Sequence, residues 1–258
     1  MAGSEEYGGG FPAFRQSGIP DGSRLVKSLP GGEPADRTGK TSGGRFSHLR
    51  HEGGRERSGK LCAKDCEGDG MADVIVLGPG IGMEDYARCM VENVLKDAYV
   101  PIILDADALN LAAEYRELTG YFTENIIVTP HMKEMSRLTG IQIEEMKENP
   151  VRTAREFADQ YGVVCVLKDA ATVIAGRDGK TFVNGSGTPA MAKGGSGDVL
   201  TGVIAGLVAL GLEESDAAAL GVYVHGLAGE AAEKHFGVHG VLAGEIADCL
   251  PEVYRDGI

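Results

Sequence analysis

The chain has 258 residues, 43% of them hydrophobic and 6% aromatic with no Trp. That is enough for one large α/β domain, and too few rings for a platform on which single-stranded nucleic acid stacks. A formal net charge of −13 repels nucleic acid and anionic membranes, so neither is an expected partner, but it does not exclude a phosphorylated small molecule held by local backbone amides.

No apolar run near the N-terminus reads as a signal peptide and none reaches membrane-spanning length, so the expected localisation is cytoplasmic. The five cysteines, Cys62, Cys66, Cys89, Cys165 and Cys249, are scattered, make a poor zinc pattern and read as reduced thiols. Residues 1–70 are atypical. From residue 8 they are crowded with Gly, Pro, Ser, Arg and Asp, and the stretches 28–34 and 39–57 look like linker. This region is expected to be poorly ordered or frame-disrupted, with residues 71–258 forming the catalytic domain.

From Met71 onward strands and helices alternate. Asp73–Leu77 reads as a buried strand that ends in Gly-Pro-Gly-Ile-Gly, and residues 84–98 suit a helix. Val100–Leu104 is a second strand entering Asp105-Ala106-Asp107-Ala108-Leu109-Asn110. Ile126–Thr129 is a third, followed by Pro130 and a short helix. A helix over 152–161 precedes a fourth strand, Val163–Leu167. Thr172–Ala175 and Thr181–Val183 form a hairpin around Arg177-Asp178-Gly179-Lys180. Helices follow near 197–210, 214–234 and 243–250. The order implies an α/β fold with a mostly parallel central sheet and helices on both faces. Ligands of such sheets bind beyond the carboxyl ends of the strands, where Asp105, Asp107, Pro130, His131 and Lys168 fall.

The sharpest feature is Asn184-Gly185-Ser186-Gly187-Thr188-Pro189-Ala190-Met191-Ala192-Lys193-Gly194-Gly195-Ser196-Gly197-Asp198, which runs into an apolar helix. Glycines allow close backbone approach, and a helix N-terminus presents free N–H groups to an anion. Asp198 at such a start is either a helix cap or a base, and the glycine density favours the base. Cradle and carboxylate together suit phosphoryl transfer. Neither GxxxxGK[ST] nor a full GxGxxG is present.

GGSGDVLTG (194–202) resembles the anion hole of ribokinase-like kinases. The wider set is similar to the ADP- or ATP-dependent NAD(P)H-hydrate dehydratases of that superfamily: VIVLGPGIG, ILDADALNL, VTPHMKEMSRL, KDAATVI, the 184–202 segment and HGLAGEAAEKHFGVHGVLAGEI. Gly3-Ser4-Glu5-Glu6-Tyr7-Gly8-Gly9 resembles the family's opening motif. The resemblance implies a ribokinase-like fold and repair of the hydrates of NADH and NADPH. ADP or ATP would phosphorylate the hydrate hydroxyl with Mg2+, and phosphate would then be lost. Asp198 would be the catalytic carboxylate. Gly80, Gly82 and His131-Met132-Lys133-Glu134-Met135-Ser136-Arg137 would line the hydrate pocket with Asp198. Lys168-Asp169-Ala170-Ala171-Thr172 and Thr188 through Gly197 (Thr188, Pro189, Ala190, Met191, Ala192, Lys193, Gly194, Gly195, Ser196, Gly197) would bind the nucleotide. No residue is carried over as a metal ligand. Family members commonly form homo-oligomers.

Position alone leaves several roles open. Lys168 is either a phosphate cation or a solvated strand-end lysine. His131 is either a ligand contact or a helix cap. Glu134 either orders magnesium through water or offsets the helix dipole, and His225 reads as packing. The chain departs from the family at Asp169-Ala170-Ala171, where Gly-Ala-Gly is usual, and at Ala190, where glycine is usual. Its N-terminal region departs throughout. Two alternatives remain on sequence: a hydroxyethylthiazole- or hydroxymethylpyrimidine-type kinase of the same superfamily, and an inactive or weakly nucleotide-binding relative.

Overall fold

The computed structural model describes residues 72–255. The expectations for residues 1–70, the Gly3–Gly9 motif included, lie outside them. Three parallel strands at the sheet centre are short, mostly β-branched and buried throughout: β2 (Ile102–Leu104), β3 (Ile126–Val128) and β4 (Val164–Leu167). β1 (Ile75–Leu77) pairs parallel with β2. β5 (Val173–Ala175) and β6 (Thr181–Val183) add an antiparallel hairpin after β4, giving six strands in sequential order.

That order explains how the layers form. Parallel strands laid side by side in one direction, each joined by a right-handed crossover, put every crossover on the same face. This face carries α1 (Asp85–Asp97), α2 (Ala106–Glu114), α3 (Met132–Thr139), α4 (Ile143–Glu148) and α5 (Pro150–Tyr161). Among the described residues, the opposite face is covered by chain that follows the last strand: α6 (Ser196–Ala209), α7 (Glu214–Phe236) and α8 (Ala243–Arg255). Strand side chains alternate accordingly. Ile102, Leu104, Ile126, Val128, Cys165 and Leu167 join the core beneath α1–α5. Ile103, Ile127, Val164 and Val166 join the core beneath α6–α8.

Local signals set the helix ends. α3 starts in a capping box, with the His131 side chain accepting from the Lys133 and Glu134 amides and Glu134 returning to the His131 amide. α5 starts with Asn149 as cap and Pro150 in its first turn, and ends at left-handed Gly162. The sequence reading did not anticipate α2, α4 or the 3₁₀ turns at Arg116–Tyr121 and Pro189–Met191. α8 runs through Pro251, beyond the expected end at residue 250. Cys165 and Cys249 are free and buried, as expected of reduced thiols, and Cys62 and Cys66 lie outside the described residues. Among the described residues no helix is long and apolar enough to cross a membrane.

α6 and α7 approach closely because Gly221 has no side chain. A Cβ there would lie 2.7 Å from Ile204 Cγ1. Gly221→Ala is expected to lower stability by about 1–3 kcal/mol through overpacking. Urea unfolding should show a smaller cost in an Ile204→Ala background, where space exists.

His225 of α7 is 7% exposed and sits in this second layer. Burial holds its imidazole neutral, down to about 4 from an ordinary 6.5; a hydrogen bond with Ser196 opposes the shift and the Lys168 charge adds to it. The unfolded chain therefore takes up a proton that the folded chain refuses, so this contribution to stability is present above pH 6.5 and lost as pH falls towards 4. Wild type should lose about 3 kcal/mol more than His225→Gln between about pH 7 and about pH 4 in urea melts.

Candidate active site

The carboxyl ends of β1–β4 deliver Gly78, Asp105, His131 and Lys168 to one edge of the sheet. Parallel pairing continues past the strands: the Lys168 amide donates to the Pro130 carbonyl at 2.8 Å, and His131 bridges Lys168. The Asp105 amide donates to the Leu77 carbonyl at 3.1 Å. Ala106 then takes a left-handed φ of 48°, the only positive φ at a non-glycine position among the described residues. A Cβ makes that conformation unfavourable, and such strain clusters at functional sites. The kink gives the flanking carboxylates separate partners. Asp105 goes to Lys168, while Asp107 Oδ2 accepts from the Gly82 amide at 2.9 Å. Gly78 (φ 130°) must lack a side chain, because a Cβ would lie 1.7 Å from the Asp105 carbonyl oxygen.

The Lys168 ammonium lies 2.7 Å from Asp105 Oδ1, and the Asp105 side chain is 3% exposed. Directly against this pair is the start of α6. A Cβ built on Gly197 would lie 3.3 Å from Lys168 Nζ and 3.5 Å from Asp105 Oδ2. α6 begins at left-handed Gly195, and no side chain caps it. Its first internal bond is Val199 N–H to the Gly195 carbonyl, so the Gly197 and Asp198 amides have no carbonyl within the helix. Two unpaired amides, the positive helix end and a fixed ammonium converge on one spot, an arrangement whose charge suits an anion.

Asp198 is the third residue of α6 and is exposed. The cap reading is therefore set aside. Although the residue as a whole is exposed, partial desolvation of its carboxyl raises it above the ordinary range, Asp105 adds to the rise, and Lys168 opposes it. Glu134, 5% exposed, is also raised by burial; the His131 amide, Lys168 and the His131 side chain oppose the rise, and Asp105 adds to it. Both its oxygens meet His131: Oε2 accepts the amide at 2.8 Å, and Oε1 lies 3.3 Å from Nε2. Capping is thus present for both residues.

The expected residues fall into two groups. Lys168, Glu134, Gly197 and Asp198 come together around Asp105. Arg137, whose Nη1 donates to Asn110 Oδ1 at 2.6 Å, lines a groove instead, while Gly82 is tied to Asp107. That groove, about 470 Å³, is lined by Met83, Asn110, Ala113, Glu114 and Arg137. Met132 and Met135 point into the core, so along α3 the face open to a ligand is carried by His131, Lys133 and Arg137. Asp169 is exposed in the turn after β4, where water screens it. Ala190 fits without strain: its φ is not positive, and its methyl is buried in the second core. Asp105 and Asp107 were expected at the strand ends where ligands bind but were given no role, and Asn110, within α2, carried no sequence signal.

A sequence profile described as NAD(P)H-hydrate dehydratase matches residues 55–252. The chain is 43% identical over 185 residues to the bifunctional NAD(P)H-hydrate repair enzyme Nnr of Moorella thermoacetica, covering 71% of this chain and 35% of that protein. It is 36% identical over 199 residues to the ADP-dependent (S)-NAD(P)H-hydrate dehydratase of Bacillus subtilis, covering 77% and 70%. The chain thus spans about a third of the bifunctional relatives it matches. The crystal structure of the Bacillus subtilis ADP/ATP-dependent enzyme co-crystallised with ATP/Mg2+ superposes with a TM-score of 0.62 at 34% identity, covering 71% of this chain and 64% of that one. Hydroxyethylthiazole kinase from Pyrococcus horikoshii, at 20% identity and a TM-score of 0.58, shares the fold. With the strand-end cluster, the glycine-led α6 and the profile match all falling on the same residues, this chain belongs to the NAD(P)H-hydrate dehydratase family.

Proposed function

We propose that residues 71–258 catalyse the nucleotide-dependent dehydration of the (S)-hydrates of NADH and NADPH, as a cytoplasmic homo-oligomer. The observation that carries this reading is the start of α6, where Lys168, two unpaired amides and the exposed Asp198 share one spot. A hydroxyl is a poor leaving group, and its phosphate ester is a good one. The amides and the ammonium stabilise the negative charge of the transferring phosphoryl group. Asp198 accepts the hydroxyl proton of the hydrate as the hydrate oxygen bonds to the terminal phosphorus of ADP or ATP and the bridging P–O bond breaks, releasing AMP or ADP. Cleavage of the C–O bond expels phosphate, a proton leaves the adjacent ring carbon, and the double bond of the reduced nicotinamide is restored. The groove beside Arg137 and Asn110 is the space assigned to the rest of the hydrate.

Magnesium fits this donor set. Asp105 and Glu134 present buried carboxylate oxygens, which suit a hard cation. Both would act through water, because Asp105 is paired with Lys168 and the Glu134 oxygens already serve His131. The ion would supply neutralisation of phosphate charge.

The test is recovery of reduced-nicotinamide absorbance from NADPH hydrate with ADP or ATP and magnesium. Asp198→Asn is expected to lower the rate by a factor of about 10² to 10⁴. Unchanged turnover in that variant would remove Asp198 as base. A phosphorylated organic product without recovered NADPH would make the protein a kinase.

The raised Asp198 carboxyl sets the pH behaviour. The base must be ionised, so kcat/KM is held at higher pH and falls as pH drops through a value above the ordinary 3.8. Lys168 opposes the rise, so the residual activity of Lys168→Met should fail at a higher pH than that of wild type. An acid limb moving to lower pH would contradict this.

A further inference from the structure

Residues Asn184 to Ser196 rest on α7, and their attachment has a pattern. Two α7 glycines make room for them: a Cβ on Gly226 would lie 2.1 Å from Ser186 Oγ and 2.8 Å from its carbonyl carbon, and one on Gly229 would lie 2.2 Å from Met191 Sδ. α7 also grips both ends. Ser186 Oγ donates to the Tyr223 carbonyl at 3.0 Å, and Glu230 Oε1 accepts the Gly187 amide at 2.8 Å. At the far end Ser196 Oγ lies 3.4 Å from His225 Nε2. Between these points Thr188 caps the short 3₁₀ turn, while Ala192, Lys193 and Gly194 are exposed. Gly187 itself has φ 113°, a conformation open to glycine and rarely adopted by residues with a side chain.

We propose that Glu230 is a positioning residue for the phosphate loop. Its carboxylate fixes Gly187, so that the segment reaches α6 with the Gly197 and Asp198 amides already aimed beside Lys168. The inference rests on the reading above that this loop receives nucleotide phosphate. A carboxylate on a backbone amide is a strong, directional hydrogen bond. Held at one end by Glu230 and at the other by His225, the loop has less freedom to lose on binding, and pre-organisation of this kind appears as affinity. Glu230 touches no reacting atom in this account; it acts through Gly187.

Glu230→Ala removes the acceptor, and Glu230→Gln keeps an oxygen there without the charge. ADP affinity by titration calorimetry should weaken about tenfold in Glu230→Ala and return close to wild type in Glu230→Gln. Thermal melts should be alike for all three. Amide hydrogen exchange over residues 184–191, measured without nucleotide, should quicken in Glu230→Ala only. The proposal is overturned if Glu230→Ala binds ADP as wild type does, if Glu230→Gln is as weak as Glu230→Ala, or if the loss of affinity follows a fall in Tm. Exchange that responds as expected in a wild-type protein with no ADP affinity would support the Gly187 anchor and remove the nucleotide reading instead.

Discussion

The buried pair between Asp105 and Lys168 is the constraint around which this site is arranged. A buried ion pair contributes little to stability, because desolvating both charges offsets their attraction. Removing one partner is costly, since the other charge is left uncompensated. With Asp105 at 3% side-chain exposure and Lys168 at 20%, the carboxylate is sealed and the ammonium remains reachable. The arrangement fixes a cation at the mouth of the sheet with little freedom to lose when an anion arrives. Its value is in binding and charge placement.

Several odd features follow from keeping that pair in place. Gly78 lets the β1 loop lie against the Asp105 carbonyl. Ala106 adopts a left-handed φ so that Asp105 faces Lys168 while Asp107 turns to Gly82. Gly197 brings backbone, without a side chain, against the ammonium. Even the capping box of α3 contributes, because it buries Glu134 within electrostatic reach of Lys168 and Asp105. The site is thus a junction of four strand ends and one helix start, and the sequential strand order puts those ends side by side.

Much of this was legible in the residues. The apolar runs at β1–β4 and the hairpin signal around Gly179 marked the sheet, because buried parallel strands read as continuous hydrophobic stretches. The glycine cluster before α6 marked the place where backbone closes on the Lys168–Asp105 pair, because no other residue type allows that approach. The buried partner of Lys168 was not legible, since Asp105 and Lys168 are 63 positions apart and only the sheet brings them together. α4 was missed because it is a six-residue helix with one buried side chain, Met146. Met132 and Met135 entered the expected pocket because a motif names consecutive positions, whereas a helix turns every other one or two of them into the core.

A crystal structure with ADP and magnesium bound tests the central claim most directly. The account predicts the terminal phosphate within hydrogen-bonding distance of the Gly197 and Asp198 amides and of the Lys168 ammonium, with the Asp198 carboxylate facing the open side. A phosphate lodged in the groove beside Arg137, with the Lys168–Asp105 pair untouched and the α6 amides on water, would contradict it.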